Sequence, residues 1–165
     1  MQQKKTEFLR EIDAHKGLII SLCQAYFEGD EDRRDAFQDV VLSLWKAYDT
    51  FENRSKISTW IYSIALRTLL KKVRNEKRSV ASTQIEAVHN QIVGANADDY
   101  QGLLHQMLSS LDSLARAIFI LHLEGYGNKE IANILSLSPS NISTKLSRIK
   151  KQLRGKINLE NYINE

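Results

Sequence analysis

Between Ser140 and Arg148 the chain sets small hydroxyl and amide side chains beside cations: Ser140, Asn141, Ser143, Thr144, Lys145, Ser147 and Arg148. Short donors and acceptors next to fixed positive charge suit base edges and phosphates in a major groove. A second block begins Asn53-Arg54-Ser55-Lys56 and continues through Trp60, Tyr62, Arg67, Lys71 and Arg74. Rings interleaved with cations suit unstacked single-stranded bases and their backbone. A third grouping, Asp35, Gln38, Asp39, Leu42, Lys46 and Asp49, is polar around one apolar centre, the make-up of a small protein-docking surface. Catalytic and metal signatures are missing. The chain has no Gly-rich phosphate loop, no HExxH and no GxSxG, and His15, His89, His105 and His122 are scattered. Cys23 lies on an apolar stripe and reads as a small core residue. No enzyme activity, cofactor or metal is expected.

Each grouping needs an element to hold it. Phe8, Ile12, Ile19, Cys23 and Tyr26 form a first, roughly helical stripe, weakest at Gly17. The acidic stretch from Glu28 to Asp35 reads as a turn. Phe37, Val40, Val41, Leu44, Trp45, Tyr48 and Phe51 recur at helical spacing, so a helix is expected over about residues 33–50. The docking grouping falls on its opposite side. Ile57, Trp60, Ile61, Ile64, Ala65, Thr68 and Leu69 mark a second amphipathic helix running into a basic tail. Trp60 sits on its apolar stripe, which favours a core role; Tyr62 lies off it and reads as exposed.

Toward the C-terminus, Leu103 to Leu111 and Leu114 to Leu121 read as two helices, with Asp112 as a cap between them. Asn128 reads as the N-cap of a short helix with Ile131, Ala132 and Leu135 facing inward. Leu137-Ser138-Pro139 is then a turn, with Ser138 as cap and Pro139 in the first helical position. The last helix, to about Gly155, points Ile142, Leu146, Ile149 and Leu153 inward and Ser140 to Arg148 outward. A short helix, a tight turn and a longer basic helix make a helix-turn-helix. Lys150, Lys151 and Arg154 add cations for phosphates.

Composition fits this plan. The 165 residues include seven glycines and one proline, few for a β-rich chain, and 42% are hydrophobic. A single cysteine excludes a disulfide-stapled module. No run approaches the ~18 apolar residues of a membrane span, and the start lacks a signal-peptide core, so a cytoplasmic setting without membrane insertion is expected. The net charge of +3 hides a segregation. Residues 53–78 hold eight basic and one acidic residue, residues 128–165 seven and three, and residues 1–52 seven and eleven. Residues 79–102 carry three acidic groups and no basic ones, with weak periodicity, and read as a flexible linker. Its random-coil span is roughly 27 Å and its extended reach about 80 Å. The expected architecture is all-α: a helical domain over 1–78, the linker over 79–102 and a helix-turn-helix domain over 103–156.

The order of these features resembles the extracytoplasmic-function (ECF) sigma factors of the sigma-70 family of bacterial RNA polymerase. The resemblance rests on Asp35-Ala36-Phe37-Gln38-Asp39-Val40, then Leu44-Trp45 and Tyr48, then Ile57 to Ala65 (ISTWIYSIA) and the basic run to Arg78. It resumes at Leu123-Glu124-Gly125, Lys129-Glu130-Ile131-Ala132 and Ser138 to Leu146. It implies a sigma factor that directs core polymerase to promoters. Asp35, Gln38, Asp39 and Leu42 would dock on core RNA polymerase. Asn53, Arg54, Ser55, Lys56 and Trp60 would open and hold the melted minus-ten strand, and Arg67, Lys71 and Arg74 would contact its backbone. Ser140, Asn141, Ser143, Thr144, Lys145 and Arg148 would read the minus-thirty-five element as duplex. An anti-sigma protein is implied as a partner by the resemblance alone. Three positions depart from the family pattern: Ser136 stands where many members carry glycine, Leu111-Asp112 where Leu-Pro is common, and the 52–56 loop lacks a glycine often found there.

A second reading of the same residues is a stand-alone helix-turn-helix regulator with an N-terminal dimerisation or sensor domain. It predicts operator binding without polymerase, usually by dimers. The basic aromatic block at 53–78 argues against it.

Overall fold

The computed structural model describes residues 2–82 and 100–163, which form eight α-helices and no strand. Two compact units are present, 1–90 and 91–165.

In the N-terminal unit, α1 (Gln2–Ala14) buries Phe8 and Ile12, one turn apart. The break falls at His15, two residues before Gly17. There the imidazole Nδ1 lies 2.9 Å from the Glu11 carbonyl at the end of α1. Ile19, Leu22, Cys23 and Tyr26 form the buried face of α2 (Lys16–Tyr26). The chain extends at Phe27, whose carbonyl accepts the Arg33 Nε–H at 2.7 Å. The stretch read as a turn is mostly helix, since α3 (Asp30–Ala47) starts at Asp30. Asp30, Glu31 and Asp32 fill its first turn, where carboxylates favour the positive end of the helix dipole. Ala36, Val40 and Leu44 are its fully buried spine. A short 3-10 turn, Tyr48–Thr50, follows.

The next helix, α4 (Ile57–Ser82), runs past the expected linker boundary to Ser82. Its buried face is Ile61, Tyr62, Ala65, Leu66 and Leu69. This corrects the reading of Tyr62, which is 7% exposed. The apolar arc extends toward Leu66, a full turn beyond Tyr62, and the two fill one strip against α2 and α3, both of which pack on α4. A ring cluster ties this unit together. Phe8 stands edge-on to Trp45 and Tyr48 with centroids at 5.0 and 5.1 Å. Trp60 continues the series to Tyr48 at 6.2 Å and Phe51 at 5.0 Å. Lys4 lies 5.0 Å from the Trp45 ring centroid and pairs with Asp49.

Residues 83–99, most of the segment read as a linker, lie outside the described residues. The C-terminal unit begins with α5 (Tyr100–Ser109) and α6 (Ser113–Leu123). Asp112 caps α6, its carboxylate accepting the Ala115 N–H at 2.8 Å. Arg116 reaches back from α6 and donates to the carbonyls of Leu108, in the last turn of α5, and Leu111, just past it, at 2.8 and 3.1 Å. The next helix, α7 (Asn128–Leu135), is capped by Gly127 and not by Asn128. The Glu130 carboxylate accepts the Gly127 N–H at 2.8 Å, and Ile134 takes the buried place expected of Leu135. Ser136 then turns left-handed at φ 57°, and Ser138 receives the Asn141 N–H at 3.2 Å. The last helix, α8 (Pro139–Ile163), outruns its expected end at Gly155 and buries Ile142, Leu146, Ile149 and Leu153 against α6 and α7.

Candidate nucleic-acid and polymerase interfaces

On α3, Asp35, Gln38, Asp39 and Leu42 follow the spacing of one helix face, and all four are exposed. Leu42 is 50% exposed, a large apolar group left uncovered opposite the Ala36–Val40–Leu44 spine. Asp39 is not a free carboxylate. Its Oδ2 accepts from Lys72 Nζ, on α4, at 2.9 Å. That bond, with the nearby charges of Asp39, Glu76 and Asp35, holds the Lys72 ammonium above its ordinary value of 10.5 against the opposing effect of burial. Sequence reading missed Lys72 because it sits 33 positions from Asp39 inside a run of cations, where nothing marks which one turns toward α3.

The loop between the 3-10 turn and α4 carries Asn53, Arg54, Ser55 and Lys56, all exposed. Asn53 adopts φ 53°, a left-handed backbone that asparagine tolerates better than most residues. Arg54 pairs with Glu52 at 2.5 Å. Trp60 is half-buried, backed by Tyr48 and Phe51, so it belongs to the ring cluster and still meets solvent at the foot of the loop. Arg67, Lys71 and Arg74 are exposed and spaced one turn apart, forming a single cationic stripe along α4. The polar face of α3, the loop and this stripe therefore belong to one compact unit.

The third surface belongs to the other unit. Ser140, Asn141, Ser143, Thr144 and Arg148 are exposed on the first turns of α8, and Lys145 is half-buried. Ile142, Leu146 and Ile149 anchor the opposite side, so the packing of α8 fixes which side chains face outward. Ala132, at 1% exposure, lets α7 and α8 approach closely. Among the described residues no group of His, Cys, Asp or Glu could hold a metal ion, and no helix is long and apolar enough to cross a membrane.

Comparison with known proteins agrees with this geometry. Residues 12–79 match sigma-70 region 2, and residues 101–153 match sigma-70 region 4. The ECF RNA polymerase sigma factor SigW of Bacillus subtilis is 25% identical over 162 residues, spanning 87% of each chain. The RNA polymerase sigma factor SigV of the same organism is 27% identical over 157 residues, spanning 93% of this chain and 92% of its own. Among solved structures, the sigma factor RpoE of Bartonella quintana, in complex with the anti-sigma factor NepR, superposes with a TM-score of 0.69 at 21% identity. That match covers 96% of this chain and 98% of RpoE. CnrH, in complex with the cytosolic domain of CnrY, superposes with a TM-score of 0.62 at 18% identity. The region 2 match occupies the stretch that a dimerisation or sensor domain would need, which disfavours the stand-alone regulator. With region 2 ahead of region 4 and relatives that match along nearly the whole chain, the chain belongs to the extracytoplasmic-function sigma factors of the sigma-70 family, the subunits that direct bacterial RNA polymerase to promoters.

Proposed function

We propose that this sigma factor divides its work among the three surfaces. Residues 1–78 dock on core polymerase through Asp35, Gln38, Asp39 and Leu42. The same domain holds the melted minus-ten strand with Asn53, Arg54, Ser55, Lys56 and Trp60, while Arg67, Lys71 and Arg74 contact its backbone. Residues 103–156 read the minus-thirty-five duplex with Ser140, Asn141, Ser143, Thr144, Lys145 and Arg148, and residues 79–102 tether the two domains. Opening a duplex costs a few kcal/mol of unpairing and unstacking. Capture of extruded bases offsets that cost and stabilises the open promoter. The protein contributes no bond-making chemistry, acts in the cytoplasm beside polymerase and needs no cofactor. An anti-sigma protein that masks the sigma surfaces is the expected regulator, on the analogy of RpoE with NepR and CnrH with the cytosolic domain of CnrY.

The observation that carries this reading is the polar face of α3 with Leu42 uncovered at its centre, in the same unit as the cationic stripe of α4. Gel filtration of the purified chain with core RNA polymerase tests it. Wild type should co-elute with core, and Asp39→Ala should elute free. Equal co-elution of both would remove α3 as the docking face.

A further inference from the structure

Among the cations of α4, one is turned away from solvent. Lys71 and Arg74 are exposed, whereas the Lys72 side chain is 22% exposed and ends on Asp39 of α3. The contact uses a single carboxylate oxygen. The Asp39 side chain remains 49% exposed, and its Oδ1 accepts no hydrogen bond from the described residues. One oxygen is therefore tethered and the other presented outward, on the face that also holds Asp35, Gln38 and Leu42. A carboxylate on a helix surface otherwise samples several rotamers, and ordering it on binding costs affinity. Lys72 stands on a helix already packed against α3, so the tether is in place before any partner arrives.

We propose that Lys72 is a positioning residue for polymerase docking: from α4 it holds the Asp39 carboxylate in the orientation that meets core polymerase. This rests on the reading of α3 as the docking face. It also separates Lys72 from Lys71 and Arg74, whose charges face outward toward DNA. The pair links the helix that docks to the helix that carries the cationic stripe.

The test is a titration of full-length protein against core RNA polymerase, with Kd read by fluorescence anisotropy and the Tm of each free variant recorded. Lys72→Met should weaken binding about fivefold, the scale of a half-exposed ion pair. Lys72→Arg, which keeps a donor and a charge, should recover to within about twofold of wild type. Asp39→Asn should weaken binding, and Asp39→Asn with Lys72→Met should be no weaker than Asp39→Asn alone, since the tether then has nothing to orient. Should Lys72→Met lower Tm by several degrees, Lys72→Gln takes its place, and the same non-additivity with Asp39→Asn is required. Wild-type affinity for the Lys72 variants beside a weakened Asp39→Asn would overturn the positioning role and leave the docking face standing. Tighter binding by Lys72→Met would also overturn it, because Lys72 would then compete with polymerase for Asp39. Wild-type affinity for Asp39→Asn would remove the docking reading itself.

Discussion

Among the described residues, Ser136 is one of two non-glycine residues with a positive φ. It holds a left-handed conformation, φ 57°, in the turn of the helix-turn-helix, where a Cβ costs about 1–2 kcal/mol. Glycine removes that cost but loses more backbone entropy on folding. Ser136→Gly should therefore stabilise the C-terminal unit by about 0.5–1 kcal/mol, read as a higher denaturation midpoint by circular dichroism. Cys23 shows the opposite situation, a residue suited to its place. Burial raises its thiol from 9.0 to about 11. At neutral pH the native thiol is then protonated and covered, and alkylation by iodoacetamide should be far slower than in urea. The sign of the pH effect follows. Above the ordinary thiol value the unfolded chain loses this proton before the folded one does, so stability falls as pH rises from about 9 toward 11. Cys23→Ala should remove that component of the alkaline slope.

At the level of elements, Phe8 packs α1 on the ring cluster: it is 4% exposed and touches both Trp45 and Tyr48. Phe8→Ala should destabilise the protein by roughly 3 kcal/mol, measured by urea unfolding, because a large ring is removed from a site walled by other rings. Sequence periodicity foresaw the body of α3, since Val40 and Leu44 recur one turn apart and polar residues stand opposite, but it took the acidic first turn at Asp30 for a break. It placed the inner face of α4 less well. Ile57 and Ile64 are as apolar as Leu66, and only packing against both α2 and α3 selects the strip through Tyr62 and Leu66 for burial. The exposed side of α8 was legible because four aliphatic residues fix the opposite side. The Lys72–Asp39 pair was not, because a contact between residues far apart in sequence leaves no local pattern. The end of α4 was missed for a related reason: polar, basic residues continue a helix as readily as they begin a linker.

Across the whole molecule, the candidate DNA contacts lie in two separate compact units. Residues that share no partner and no packing should contribute independently. For promoter binding by the reconstituted holoenzyme, Arg74→Ala and Arg148→Ala should each lower the salt dependence of affinity by about one counterion. The double variant should lower it by about two, with free-energy losses additive to within about 0.5 kcal/mol. Filter binding across a salt series measures both quantities. A double variant no worse than either single one would mean that the two surfaces do not engage the same promoter.

The ring cluster around Phe8 also gives the protein a built-in optical reporter. The chain has two tryptophans, and both Trp45 and Trp60 stand in that cluster, within the N-terminal unit. Indole emission therefore senses only that half of the chain, whereas the far-ultraviolet helical signal sums over both. A denaturation followed by the two signals together separates the melting of the N-terminal unit from that of the helix-turn-helix, with no label attached.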